Sequence, residues 1–534
     1  MLTFVCPGKN KPHQNTFCME EKLMKKVIID GETLTIEDIV AVTRQNATAA
    51  ISEKAKKKVE KARETLERLV KEKKTIYGVT TGFGAFGNIT ISPKDFRQLQ
   101  VNLIRSHSSG VGKPLSRDVI RALMLLRANT LAKGYSGVRL KTLETLMQMI
   151  NKGVHPVIPE KGSVGASGDL APLSHTVLVM IGEGEAEFQG VVMDGKEAMK
   201  KANIPPIELD VKEGVALNNG TQMMTAIAAL AVHDAEILVK TAEVAASMSL
   251  EALSGIIDAF NEKIHSVRPH KGQVESAENI RKLVSGSKLI KSRNEAVKEN
   301  KYSQDPYSLR CVPQVLGSVR DTISYVRDVV EVEVNSATDN PLVFTVEEEC
   351  LSGGNFHGQP ISAVMDYLAI VLATVGNFSE RRTARLMDES LSRGLPPFLI
   401  PDKAKKGLQS GFMTLQYTAA ALASENKSLA HPASVDSIPT SANFEDFVSM
   451  GPIAARKAVE ILRNAEYIVA IELLSASQGI EFRGPEKLGK GTRAAYNIIR
   501  KRVSPLREDR VVYKDIETVK MLIRNEEFAK LIVK

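Results

Sequence analysis

Ser167 has the most unusual chemical setting in this chain. It stands in Gly165-Ala166-Ser167-Gly168-Asp169-Leu170-Ala171-Pro172-Leu173, within a glycine cluster spanning 162–168. A serine between small residues can be the nucleophile of a strand-to-helix elbow. That motif needs glycine two places after the serine, where this chain has Asp169. Without further information a plain loop is the default. Gly168 offers different chemistry: lacking a side chain, its amide nitrogen can approach the Ala166 carbonyl closely. Bond formation between them, followed by loss of water, would close a five-membered imidazolone and turn Ser167 into a dehydroalanine. Ala166 and Gly168 are residue types that leave room for this closure.

A second glycine pattern, Gly82-Phe83-Gly84-Ala85-Phe86-Gly87, matches G-x-G-x-x-G. A dinucleotide site needs a strand before the glycines, a helix opening among them and an acidic residue about 20 places on. Here only a very short strand-like stretch, 75–79, precedes the pattern, and Asn88-Ile89-Thr90-Ile91-Ser92-Pro93 opens no helix. A tight turn fits better, or a mobile loop that carries Tyr77 with the glycines as hinges.

The run Ala166-Ser167-Gly168-Asp169-Leu170-Ala171-Pro172-Leu173 resembles the signature of the aromatic amino acid ammonia-lyases. These enzymes use a self-made 4-methylidene-imidazole-5-one (MIO) prosthetic group. The resemblance extends from about Val27 to Leu522. Tyr77-Gly78-Val79-Thr80-Thr81-Gly82-Phe83-Gly84 is similar to the family's catalytic tyrosine loop. Leu217-Asn218-Asn219-Gly220-Thr221-Gln222 is similar to its asparagine motif, and Gln304-Asp305-Pro306-Tyr307-Ser308-Leu309-Arg310-Cys311 to its substrate-carboxylate motif. Gly353-Gly354-Asn355-Phe356-His357-Gly358, Ala423-Ser424-Glu425-Asn426-Lys427 and the stretch from Arg381-Arg382 to Pro397 also match. Singly, Tyr77 reads as a core tyrosine, Arg310 as a surface ion pair and Glu425 as a helix-face carboxylate. In this order and together they leave little room for coincidence.

The resemblance implies covalent catalysis by an electrophile formed from Ala166, Ser167 and Gly168, without metal or diffusible cofactor. It implies that Tyr77 takes the β-proton, with a pKa lowered from about 10 by helix N-termini aimed at the site. Asn219 and Tyr307 would hydrogen-bond the ring and amine region. Arg310 would grip the substrate carboxylate bidentately, Phe356 would pack beside the ring, and Gln304 would support the pocket. After Leu99-Gln100-Val101-Asn102-Leu103 the chain reads Ser106-His107, as in members that act on histidine. His107 and Glu425 would then meet the two imidazole nitrogens, which an apolar pocket would leave unsatisfied. The implied reaction is elimination of ammonia from L-histidine to trans-urocanate, the first step of histidine degradation. The alternative is a phenylalanine or tyrosine ammonia-lyase or an aminomutase. Asn218 stands where relatives carry an apolar residue, Phe444 where they carry glutamine, and Phe447 where histidine is common; these changes add aromatic character near the site. A reading of another class, a nucleotide-binding or scaffolding protein with an unprocessed tripeptide, would show as an unmodified mass.

These residues need rigid carriers. Residues 52–74 read as an exposed amphipathic helix, with Ala, Leu, Glu and Lys favouring helix. Long helices are expected over 220–253, 315–336, 361–392 and 454–478. In the last, Val459, Leu462, Ala465, Val469 and Leu473 recur at steps of three or four. The expected fold is mainly α, a long-helix bundle core with a loop-rich N-terminal active-site region, fumarase/aspartase-like by resemblance. Residues 1–23 are expected as a disordered N-terminal extension, 24–216 as an N-terminal domain with the Ser167 loop, and 217–534 as the bundle with a C-terminal helical region. A homotetramer with shared active sites is implied.

The bulk numbers exclude little but agree. Of 534 residues 43% are hydrophobic and 25% charged, as in a globular protein. The net charge of +8 is spread, and the densest basic run, Lys54, Lys56, Lys57 and Lys58, is accompanied by Glu53, Glu60 and Glu64. With no tryptophan, this argues against nucleic acid as partner. Cys6, Cys18, Cys311 and Cys350 form no C-x-x-C pair, and the histidines show no metal spacing, so reduced thiols in a cytoplasm are expected. No run reaches the ~18 apolar residues of a membrane span, and residues 1–23 lack the apolar core of a signal peptide. Met19 and Met24 are both plausible starts.

Overall fold

The computed structural model describes residues 26–298, 302–401 and 407–532; the expected N-terminal extension lies outside the described residues. Helices carry the architecture. In chain order those that matter for the site are α1 (Glu53–Lys71), α2 (Phe96–His107), α3 (Arg117–Ala132), α4 (Leu170–Met180), α5 (Glu213–Asn218), α6 (Gln222–Ala252), α7 (Tyr307–Arg310), α8 (Val312–Val334), α9 (Gln359–Met387), α10 (Met413–Leu429) and α11 (Gly451–Glu481). The described strands are short and sit in two- and three-stranded pieces, such as the parallel pair Lys26–Ile29 and Thr48–Ile51.

The long helices match the expected positions, and their ends have local causes. Ser52 caps α1, its hydroxyl accepting from the Ala55 N–H at 3.1 Å. Helices α8, α9 and α11 start up to three residues before the expected points. Pro313, Pro360 and Pro452 fall in their first turns, where a missing N–H leaves no gap. Helix α9 stops at Met387 rather than 392, because Asp388 accepts from the Ser390 N–H at 2.8 Å and its hydroxyl at 2.6 Å and turns the chain.

The bundle is built on α6, α9 and α11, with α8 and α10 packed on α9 and α3 packed on α6. Helix α6 has 31 residues, about 46 Å at 1.5 Å each. The Val459-to-Leu473 stripe is the inner edge of a helix that becomes buried on every side. Leu462, Ala465, Val469 and Leu473 are buried, but so are Glu466 and Glu472. Glu472 is matched across the bundle by Arg382 of α9, Nε to Oε1 at 2.6 Å and Nη2 to Oε2 at 2.7 Å, with both side chains fully buried. Helices α6 and α9 are long and apolar enough to cross a membrane by composition, yet most of each apolar window is buried inside the bundle.

Candidate active site

The Ser167 loop lies where several helices begin. Helix α4 starts at Leu170, two residues after Gly168, and α6 at Gln222, two residues after Gly220. Just before α11, the Met450 N–H donates to the Val164 carbonyl at 2.9 Å and the Ser449 hydroxyl to the Gly165 carbonyl at 3.1 Å. In the first turn of α9, the Ser362 hydroxyl donates to the Ser449 carbonyl at 2.5 Å. The positive ends of four helix dipoles thus surround one short loop.

Gly168 has φ +72°, and a Cβ there would overlap the Gly220 carbonyl, so the two glycines are in backbone contact. The Asp169 N–H donates to that carbonyl at 2.6 Å. The fully buried Asp169 carboxylate caps α6, accepting from the Met223 and Met224 N–H groups, each at 2.9 Å. Burial pushes Asp169 up to about 7 despite those donors.

A cavity of about 970 Å³ opens above the loop, lined among others by Tyr77, His107, Ser167, Asn219, Phe356 and Glu445. The Asn219 amide donates to the Ser167 carbonyl at 3.1 Å. The Ser167 hydroxyl donates to Glu445 Oε1 at 2.7 Å, and the other Glu445 oxygen accepts from the Thr440 hydroxyl at 2.6 Å. Tyr77 Oη accepts from the Gly84 N–H at 2.7 Å, so the glycine pattern folds as a turn around the phenol. The expected lowering of the Tyr77 pKa is absent here: burial holds the phenol above its ordinary value, Glu445 adds to that, and only the Gly84 N–H opposes it. His107 Nδ1 lies 3.0 Å from the Ser106 hydroxyl, and burial lowers its pKa, keeping the ring neutral at neutral pH.

Four expected site residues stand outside this cavity within one chain. Gln304 is exposed and Tyr307 is 70% exposed, although their motif is anchored by buried Asp305, which accepts from Arg393 Nη2 at 2.7 Å. The Arg310 guanidinium lies 4.8 Å from the Tyr307 ring centre. Glu425, on α10, accepts from the Asn464 amide at 2.9 Å. Within one chain the carboxylates lining the cavity are instead Glu445 and Asp446; Glu445 reaches the Ser167 hydroxyl, and no local motif marks it.

The unusual residues have settings of their own. Asn218 is buried, its amide NH2 donating to the Ser174 hydroxyl of α4 at 3.1 Å while its Oδ1 has no hydrogen-bond partner. Phe444 and Phe447 line the cavity, and Phe447 stacks on His357 with ring centres 6.0 Å apart.

A helical bundle with its helix starts gathered around an Ala-Ser-Gly loop defines a class, and the chain belongs to it: the family model "Aromatic amino acid lyase" matches residues 34–501. It is a carbon–nitrogen lyase. Among individual relatives, the chain is 57% identical over 502 residues to a histidine ammonia-lyase of Caldanaerobacter subterraneus subsp. tengcongensis, covering 94% of this chain and 97% of that one. Among solved structures, histidine ammonia-lyase from Trypanosoma cruzi superposes with TM-score 0.87 at 42% identity, covering 95% of each chain. Tyrosine aminomutase from Streptomyces globisporus superposes with TM-score 0.91 at 40% identity, covering 95% of this chain and 98% of that one. The mainly α fold expected from the sequence is the fold of these proteins.

Proposed function

We propose that this protein is a histidine ammonia-lyase that converts L-histidine to trans-urocanate and ammonia in the cytoplasm. The observation that carries the reading is His107, in one cavity with Tyr77 and Ser167. The fold by itself does not choose, since a histidine lyase and a tyrosine aminomutase superpose almost equally well. A neutral histidine can exchange a hydrogen bond with an imidazole nitrogen, which a phenyl ring cannot return.

The tripeptide fits the MIO group. The Gly168 backbone has no room for a side chain, the Ser167 hydroxyl is held by Glu445, and Asn219 donates to the Ser167 carbonyl. When formed, that ring supplies an electrophilic methylidene carbon. Around it the chain's own groups have separate tasks. Tyr77 Oη accepts the β-proton, with the Gly84 N–H stabilising the phenolate. His107 and Glu445 hold the imidazole, and Phe356 packs beside the ring.

Gln304, Tyr307, Arg310 and Glu425 enter the reading as contributions between subunits of a homotetramer. Supporting this, they lie outside the cavity of their own chain. Exposed Tyr325, Tyr367, Ile370 and Tyr417 also leave an apolar face on α8, α9 and α10. On this reading 24–216 is the domain that presents the loop and 217–534 the bundle through which copies pair.

The test is ultraviolet detection of urocanate from purified protein and L-histidine, beside L-phenylalanine and L-tyrosine. Urocanate is expected, with Ser167→Ala nearly inactive and His107→Phe losing preference for histidine. Cinnamate from phenylalanine with no product from histidine would refute the assignment.

A further inference from the structure

Beneath Asn219 and Gly220 lies Arg127, only 1% exposed in the middle of α3. Its guanidinium faces oxygens of two segments, the 216–222 turn and the stretch at Thr338. Nη1 donates to the Asn219 carbonyl at 2.8 Å and to Gln222 Oε1 at 3.0 Å, with the Thr338 carbonyl at 3.5 Å, and Nη2 donates to the Ala216 carbonyl. Gln222 extends the layer, its amide donating to the hydroxyls of Thr130 at 3.1 Å and Thr338 at 2.6 Å. Gly220 is enclosed from this side too. A side chain there would run into Arg127 Nη1, the Gln222 side chain and the Thr338 carbonyl.

The arrangement is a stack of three layers. Arg127 holds the 216–222 turn, and the turn holds the tripeptide through two contacts, the Asn219 amide on the Ser167 carbonyl and the Gly220 carbonyl against Gly168 and the Asp169 N–H. A guanidinium satisfying four carbonyl and amide oxygens at once fixes the turn's height and tilt in a way a hydrophobic side chain cannot. Burying that charge without a carboxylate in contact is a poor way to gain stability, which leaves alignment as its purpose.

We propose that Arg127 is a positioning residue for self-processing of the chain, setting the Asn219-Gly220 turn so that the Gly168 nitrogen can close on the Ala166 carbonyl carbon. This rests on the MIO reading above. The step balances without an oxidant. The Gly168 N–Ala166 C bond forms and the Ala166 C–O bonds break, the oxygen leaving as water with the Gly168 and Ser167 amide hydrogens while a double bond forms between Ala166 C and Ser167 N. Then Ser167 loses its hydroxyl and its Cα hydrogen as a second water, leaving the methylidene. Arg127 touches none of these atoms and acts through the turn.

The experiment is intact mass of the full-length protein, with circular dichroism and thermal melting as folding controls. Wild type lighter than its encoded sequence by two waters establishes processing; an unmodified wild type sinks the MIO reading itself. With wild type processed, Arg127→Met is expected to fold with native helix content yet to process about 10²-fold more slowly, the scale of a misplaced reacting group. A folded, fully processed R127M would overturn the proposal. If R127M does not fold, Arg127→Lys decides, because it keeps the charge but cannot bridge the same oxygens. A folded R127K that accumulates unprocessed chain supports the proposal, and one processed at the wild-type rate overturns it.

Discussion

The Ser167 hydroxyl donates to Glu445 Oε1 at 2.7 Å, joining residues 278 positions apart in the chain. With its second oxygen occupied by Thr440, Glu445 is held facing the centre of the cavity. Glu445→Gln keeps the size but removes the charge and replaces one of the two accepting oxygens by an amide donor. Its kcat is expected to fall by about 10²-fold, the scale of a substrate held out of place once its imidazole loses this partner, with unchanged melting. Steady-state kinetics beside thermal melting checks this; near wild-type kcat would remove Glu445 from the machinery.

Tyr77 gives a signed pH dependence. A base must be deprotonated to act, and burial holds this phenol above its ordinary value. The phenolate fraction, and with it kcat/KM, is therefore expected to climb with pH from about 7 to about 9 without levelling. Tyr77→Phe should lose most activity and the rising limb together. A plateau already at neutral pH would mean that the working pocket lowers the phenol, as the sequence resemblance implies.

His155 sets an acid limit on stability. Burial, with Arg121 and Arg117 nearby, depresses its pKa from 6.5 to about 4. The unfolded chain therefore takes up this proton first. The stabilising contribution is present above about 6.5 and lost as pH falls towards 4, amounting to at most ~3 kcal/mol. His155→Gln should show a shallower fall of melting temperature across that window. Asp169 titrates with the opposite sign but is common to both proteins, so equal slopes would count against the assignment.

Arg382 and Glu472 form a fully buried pair, with Glu472 also accepting from Ser249 and Ser379 at 2.7 Å each. Removing one partner strands a charge in the core. Glu472→Leu alone is expected to destabilise by about 3–5 kcal/mol, while the double variant with Arg382→Met recovers most of that. Denaturant melts of the four proteins of the cycle measure the coupling, and additive losses would show the pair to be uncoupled.

Much of this protein was legible in its sequence, for identifiable reasons. The long helices were marked by unbroken Ala, Leu and Glu content over spans such as 220–253, and only their ends shifted, where Pro313, Pro360 and Pro452 sit harmlessly in first turns. The tripeptide, Tyr77, Asn219, His107 and Phe356 announced themselves by local motifs, and the fold brings them to one cavity. Arg127 and Glu445 did not. Their significance comes from contacts with segments far along the chain, which no local spacing records. The direction of the Tyr77 shift was also invisible, because it depends on how deeply the phenol is buried.

The helices whose first turns gather at the Ser167 loop begin at Leu170, Gln222, Gln359 and Gly451, points scattered over more than half the chain. A ribosome-bound fragment ending before the last of them lacks part of the electrostatic cage. The surroundings of the loop are thus complete only when the chain has folded as far as the start of α11, where the flanking Ser449 and Met450 contact Gly165 and Val164.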